Sequence, residues 1–120
     1  MHKILIVDDE VQILRLMELF FTKNGFQVIS ASSGEKGIEL IVNKKPDLLI
    51  VDNRMPGIGG KGLLKELKKK KITTPAIVLT GSLDTPECMS DFKALGYQDF
   101  LFKPVDLNEL LELVNKKLEI

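Results

Sequence analysis

Acidic, hydroxyl and amino side chains end several short apolar stretches of the sequence. They are Asp8 and Asp9 after the first stretch, Asp52 after the third, Thr80 after the fourth and Lys103 after the fifth. Each has an ordinary explanation, since Asp often caps helices or starts turns, Thr is common in strands and Lys is usually solvated. If the stretches are parallel strands, however, their carboxyl ends meet at one edge of a sheet, where such folds place ligands. We therefore expect one site at this edge.

The charges of this set predict a cation site. Asp8, Asp9 and Asp52 bring three negative charges against one positive charge on Lys103, which leaves roughly two unbalanced if all are ionised. Mg²⁺ suits such a cluster, because it takes oxygen ligands from one or two carboxylates and keeps several waters. Thr80 and Lys103 are donors suited to phosphate oxygens, and carboxylates are nucleophiles toward phosphoryl groups. The residue types therefore predict phosphoryl transfer onto a carboxylate.

Strand and helix patterns alternate along the chain. Apolar runs predict strands at residues 4–7, 27–31, 47–51, 76–79 and 99–102. Helical spacing and end signals predict helices at residues 11–24, 32–44, 61–71, 85–95 and 106–118. The run from Leu48 to Val51 is unbroken, which is typical of a strand buried on both faces.

Helix starts carry specific signals. Ser32 with Glu35 has the spacing of a capping box, and so does Asp106 with the Glu three residues later. Thr85 is expected to start the fourth helix, with Pro86 at its first helical position.

This alternation predicts an α/β fold with a five-stranded parallel sheet, doubly wound by five helices through right-handed crossovers. An eight-stranded barrel needs about twice this length, so residues 1–120 are expected to form a single domain. For this size we expect the flavodoxin-like strand order 2-1-3-4-5, which places the first and third strands side by side. That order brings Asp8 and Asp9 next to Asp52.

Composition excludes several classes of partner. Lys plus Arg equals Asp plus Glu at 17 each, so no global charge draws this domain onto nucleic acid or a membrane. A lysine cluster, Lys65 with Lys68 to Lys71, falls at a helix end, where the dipole favours solvated cations. No apolar run approaches the roughly 18 residues of a membrane span. The lone Cys88 fits a reducing, cytoplasmic location.

Four motifs resemble those of a response regulator receiver domain of two-component signalling. They are the VDDE that ends at Glu10, the D-x-x-M-P-x-x-x-G of Asp52 to Gly60, Thr80-Gly81-Ser82, and Lys103-Pro104. They cover the whole chain in the family's order. Asp8, Asp9 and Glu10 also stand where a nucleotide-binding fold would carry phosphate-cradling glycines, which argues against flavin and dinucleotide binding.

The resemblance implies a role for each site residue. Asp52 would be the phosphoacceptor, receiving its phosphoryl group from a sensor histidine kinase or a phosphotransfer protein. Asp9, Asp52 and the main-chain carbonyl of Arg54 would bind Mg²⁺ directly, and Asp8 would bind it through water. Thr80 and Lys103 would hold the phosphoryl oxygens, with help from the Gly81 backbone N–H.

The resemblance also implies a switch. Thr80 would move toward the phosphoryl group while Phe100 turns inward, changing a face formed by roughly residues 85–118. A downstream effector or output domain, or a second copy of the phosphorylated chain, would bind there. Phe100 has a plain alternative as a core ring. Arg54 and Ser82 would tune the lifetime of the aspartyl phosphate, although a solvated Arg54 explains that residue equally well.

Three function classes follow for such a chain. The first is a phosphoacceptor switch that catalyses its own phosphorylation and slow dephosphorylation and is no enzyme toward other substrates. The second is a receiver-shaped interaction module that takes no phosphate, and the third is a hydrolase with an aspartate nucleophile. The filled acidic, hydroxyl and ammonium positions favour the switch over the module. The chain carries no second D-x-D motif after the first strand, which argues against the hydrolase.

Overall fold

A computed structural model describes residues 1–81 and 86–120, without the side chain of Cys88. In this part of the chain the strands are β1 (Lys3–Val7), β2 (Gln27–Ala31), β3 (Leu48–Asp52), β4 (Ala76–Thr80) and β5 (Asp99–Phe102). The helices are α1 (Val11–Lys23), α2 (Gly34–Lys44), α3 (Gly59–Lys69), α4 (Pro86–Ala94) and α5 (Leu107–Lys117).

The five strands form one parallel sheet in the order β2-β1-β3-β4-β5, which confirms the predicted fold. Helices α1 and α5 pack on one face and α2, α3 and α4 on the other, as the two clusters of core side chains show. Because β1 and β3 are neighbours, with Val7 opposite Val51, the residues that follow them meet at the same edge.

The central strands are buried on both faces. The apolar residues of β1, from Ile4 to Val7, and of β3, from Leu48 to Val51, have no exposed surface. Each buried Val, Leu or Ile side chain contributes roughly 1.5–3 kcal/mol relative to an exposed one. The edge strands β2 and β5 are only partly buried. Core side chains therefore cover both faces of the two strands that carry the acidic residues, and this packing positions the ends of those strands.

Helix α1 ends in a glycine cap. Gly25 has a φ of +89° just after α1, and its N–H donates to the Thr22 carbonyl while Phe26 N–H donates to that of Phe21. This is the Schellman arrangement, in which glycine adopts the left-handed conformation at little cost.

Helix α3 begins at Gly59, two residues before the predicted start, and ends at Lys69, two residues before the predicted end. Glycine has low helix propensity, so the sequence pattern did not predict that Gly59 and Gly60 belong to the first turn. Gly60 is required here by close packing, because a Cβ built on it would lie 2.5 Å from the Asp52 carbonyl oxygen.

The predicted cap at Asp106 is confirmed, since its carboxylate accepts N–H bonds from Asn108 and Glu109. Pro86 is the first residue of α4, as predicted, and Thr85 lies outside the described residues.

The predicted capping box at Ser32 is wrong. Ser33 is the N-cap of α2, and its hydroxyl accepts from the Lys36 backbone N–H at 3.1 Å. Gly34, the first residue of α2, is closely packed, because a Cβ there would lie 2.7 Å from the Ile58 side chain.

Among the described residues, no helix has both the length and the apolar character needed to cross a bilayer.

Ser33→Ala should lower the free energy of unfolding by about 1 kcal/mol, because it removes the N-cap acceptor of α2. Ser32→Ala is the matched control and should change it by less than about 0.5 kcal/mol. Urea denaturation followed by circular dichroism measures both values. Equal losses in the two variants would contradict the assignment of the cap.

Candidate functional site

Three carboxylates converge where β1 and β3 end. One oxygen from each of Asp8, Asp9 and Asp52 can be chosen so that all three lie within 4.8 Å of one another. Asp8 and Asp52 are buried, and Asp9 is exposed. Such a group of oxygens is the donor set that hard divalent cations prefer.

Asp8 is held in an environment that disfavours its charge. The pKa of its carboxyl is raised from 3.8 to about 6, chiefly by burial and also by the negative charge of Asp52, while the hydrogen bond from the Glu10 N–H acts in the opposite direction. That N–H donates to Asp8 Oδ1 at 2.9 Å. Asp8 Oδ2 is buried and has no hydrogen-bond partner among the described residues. An unpaired buried carboxylate oxygen is costly, and a cation would satisfy it.

Asp52 receives two bonds on the same oxygen. Lys103 Nζ lies 3.0 Å from Asp52 Oδ1, and the backbone N–H of Arg54 donates to that atom at 3.3 Å. Burial alone would lower the pKa of Lys103, but its hydrogen bond to Asp52 and the nearby charges of Asp52, Asp8 and Glu10 together raise it. Lys103 therefore stays charged and offsets part of the negative charge of the cluster.

Lys103 and Thr80 are tied together by their backbones, because Lys103 N–H donates to the Thr80 carbonyl at 2.7 Å. The Thr80 side chain is fully buried, and its hydroxyl has no hydrogen-bond partner in the described part of the chain. A Cβ built on Gly81 meets no described atom within 4 Å, so the backbone there leaves space beside Thr80. The hydroxyl is thus available to bond an incoming group.

Phe100 lies on the same face of the sheet as Thr80. The register pairs Val78 with Phe100 and Thr80 with Phe102, which makes Thr80 and Phe100 diagonal neighbours. Phe100 is half-buried, and its ring packs edge-to-face on Phe92 of α4 at a centroid distance of 6.1 Å. Movement of α4 or of Thr80 would therefore change the packing of this ring.

Two features of the site escaped sequence reasoning. One is the Glu10 N–H bond to Asp8, although the acidic run that ends at Glu10 marks its location. The other is an apolar cavity of about 230 Å³ beside Asp8 and Lys103, walled by Ile13 and Met17 among others. The helical spacing of residues 11–24 predicted α1 but not this opening.

A larger hollow of about 510 Å³ lies at the opposite edge, where β4 and β5 begin. Its lysines, Lys68, Lys71 and Lys117, stand at or just beyond helix carboxyl ends, where the dipole favours cations. Lys117 also pairs with Asp99 at 2.6 Å. The helix dipoles therefore account for the lysines that line this hollow. The hollow lies away from the acidic cluster.

The residues at the acidic edge fit a magnesium ion, since they combine three carboxylates with a buried Asp8 oxygen that no described residue bonds. Beside the carboxylates stand a buried hydroxyl and an ammonium group, which are donors for the oxygens of an anion.

Comparison with known proteins identifies the family. A family model described as the response regulator receiver domain matches residues 4–115. The chain belongs to this family of two-component systems. The receiver is 33% identical to Sporulation initiation phosphotransferase F of Bacillus subtilis, over 99% of this chain and 95% of that protein. It is 32% identical to Regulatory protein AtoC of Escherichia coli over 99% of this chain, but it spans only 26% of that protein.

The receiver also resembles solved structures. A CheY-like response regulator receiver domain from Methanospirillum hungatei matches with a TM-score of 0.93 at 28% identity, covering 99% of this chain and 94% of that one. The family likeness therefore extends through both the sequence and the fold.

Without metal, wild-type receiver should lose stability as the pH rises from about 4 to about 6. The folded chain holds the Asp8 proton more tightly than the unfolded chain, because the pKa of Asp8 is raised to about 6 on folding. Asp8→Asn removes this loss, so it should be more stable than wild type by roughly 3 kcal/mol near pH 7 and about equal below pH 4. Urea titrations in EDTA across this pH range measure the difference. Parallel curves for the two proteins would contradict it.

Proposed function

We propose that this receiver takes a phosphoryl group onto Asp52 from a phosphohistidine of a sensor histidine kinase or phosphotransfer protein, in a Mg²⁺-dependent reaction. The observation that carries the proposal is the buried Asp52 carboxylate, bonded on one oxygen by Lys103 and grouped with Asp8 and Asp9. The family assignment supports the same conclusion.

In this proposal the chain positions the reacting groups. Lys103 and the Arg54 N–H both bond Asp52 Oδ1, so Oδ2 is assigned as the attacking oxygen. The new O–P bond forms as the P–N bond of phosphohistidine breaks, and the bonding pair remains on the imidazole nitrogen. Lys103 and the Thr80 hydroxyl then hold the phosphoryl oxygens, with the Gly81 N–H as a further donor.

Mg²⁺ would be held by Asp9, Asp52 and the Arg54 carbonyl, and by Asp8 through water. When bound it supplies positive charge that offsets the repulsion between carboxylates and phosphoryl oxygens. Asp8 Oδ2, which has no partner in the described part of the chain, supports this assignment, because a metal-bound water would give it one.

Phosphorylation would act as a switch. The Thr80 hydroxyl would be drawn toward the phosphoryl group, and Phe100 would repack into the space that it leaves. Because Phe100 has no hydroxyl, its signal would be carried by packing alone. The responding face would be α4, β5 and α5, which would bind a downstream effector, an output domain or a second phosphorylated copy.

We further infer that residues 1–120 form one receiver domain and that it works in the cytoplasm, where kinases have ATP. Its lone Cys88 is consistent with a reducing compartment. We propose that the domain binds no nucleic acid itself, since its net charge is zero.

Acetyl phosphate with Mg²⁺ should add one phosphoryl group to the wild-type receiver, and intact-mass spectrometry measures the gain. Asp52→Asn or excess EDTA should abolish it, because the nucleophile or the cation is removed. Asp47→Asn is the matched control, since Asp47 precedes the same strand at its other end. A wild type without gain would indicate an interaction module, and continuous release of phosphate would indicate a hydrolase.

Arg54→Ala should change the lifetime of the aspartyl phosphate at least about two-fold, because Arg54 follows the phosphoacceptor by two residues and its charge would act on the phosphoryl oxygens. Loss of phosphoryl mass with time after removal of the donor measures the lifetime. Equal lifetimes for wild type and Arg54→Ala would end this assignment. Ser82, which was expected to share the role, lies outside the described residues.

A further inference from the structure

An ion pair joins helices α3 and α4 beside the site. Lys61 Nζ lies 2.5 Å from Asp91 Oδ2, and the two side chains are 37% and 48% exposed. The hydrogen bond from Lys61, followed by its charge, lowers the pKa of Asp91, and Lys65 adds a smaller effect of the same sign. The two helices are therefore linked by a charged contact as well as by packing on the same face of the sheet.

The α3 end of this contact is fixed to the strand that carries Asp52. Gly60, the residue before Lys61, donates its N–H to the Asn53 carbonyl at 3.3 Å. Its backbone also packs so closely on the Asp52 carbonyl that a Cβ would lie 2.5 Å from that oxygen. Lys61 therefore has a rigid base next to the phosphoacceptor strand.

The α4 end of the contact is next to the ring that packs on Phe100. Phe92 follows Asp91, and among the α4 side chains that the structure describes it alone is fully buried. Its ring packs edge-to-face on Phe100. The position of α4 thus depends on one buried ring and, one residue away, on the ion pair with Lys61.

We propose that Lys61 and Asp91 are positioning residues that hold α4 where Phe92 packs on Phe100, and so favour the resting arrangement of the receiver. This inference rests on the proposed phosphoacceptor function. The pair is formed while Lys103 bonds Asp52, which is the arrangement before phosphorylation. Since a shift of α4 separates the pair, its loss raises the population of the shifted arrangement, which favours phosphorylation.

The test is a double-mutant cycle with Lys61→Gln and Asp91→Asn. Each single variant should raise the rate of phosphorylation of Asp52 by acetyl phosphate about two- to five-fold, the range expected for an exposed ion pair. The double variant should gain no more than the larger single variant, because both changes remove the same contact. The charge swap Lys61→Asp with Asp91→Lys should restore a rate near that of wild type.

Glu66→Gln is the matched control, since it removes an exposed ion pair between α3 and Lys70, the residue that follows this helix. Glu66→Gln should leave the rate of Asp52 phosphorylation unchanged. A general effect of lost surface charge would instead alter the rate in this control as much as in Lys61→Gln and Asp91→Asn. Molar salt should shrink the difference between Lys61→Gln and wild type, because exposed pairs are screened. Additive single effects, slower rates, or a control that behaves like Lys61→Gln would overturn the inference.

A second readout separates this inference from the proposed function. Nuclear magnetic resonance of the Phe92 and Phe100 ring protons in the unphosphorylated protein reports α4 directly. These signals should shift in Lys61→Gln and Asp91→Asn and remain in place in Glu66→Gln. If wild type takes no phosphoryl group, the proposed function fails while the ring shifts still decide the positioning role. Unchanged ring signals in both Lys61→Gln and Asp91→Asn would overturn it.

Discussion

The hydrogen-bonded ion pair between Lys103 and Asp52 makes the acidic edge of this sheet compatible with a folded chain. Asp8 and Asp52 are both buried, and carboxylates of like charge in such a place repel each other. One ammonium offsets part of that repulsion, while burial, and after it the charge of Asp52, still keep the pKa of Asp8 raised. The receiver therefore keeps a local excess of negative charge, supported by a core that fixes the strand ends in place.

Much of the fold could be predicted because local and global signals agree. The unbroken apolar run from Leu48 to Val51 permits little besides a strand buried on both faces. Short strands that alternate regularly with helices typically pair in parallel, as they do here, so residues that follow them share an edge. For this reason Asp8, Asp9 and Asp52 could be brought together from the sequence, and the structure has their oxygens close to one another.

Features that depend on packing between distant segments could not be predicted. Ser32 and Ser33 each carry a hydroxyl that could cap α2, and the helix begins after Ser33, at Gly34, which packs closely against Ile58. The early start of α3 depends likewise on close contact of Gly60 with the end of β3. Among the described residues the Thr80 hydroxyl has no hydrogen-bond partner, and this depends on its surroundings, which a strand pattern does not contain.

Helix α4 contributes few buried side chains in the part of it that the structure describes, and this affects how easily it can open locally. Local opening of this helix exposes little apolar surface, since Phe92 is its one fully buried side chain among those described. The free energy of such an opening is accordingly much smaller than that of unfolding the sheet. Backbone amides of α4 are therefore expected to exchange with deuterium well before those of β1 and β3. The helix that would respond to phosphorylation is thus also the one expected to unfold locally at low cost.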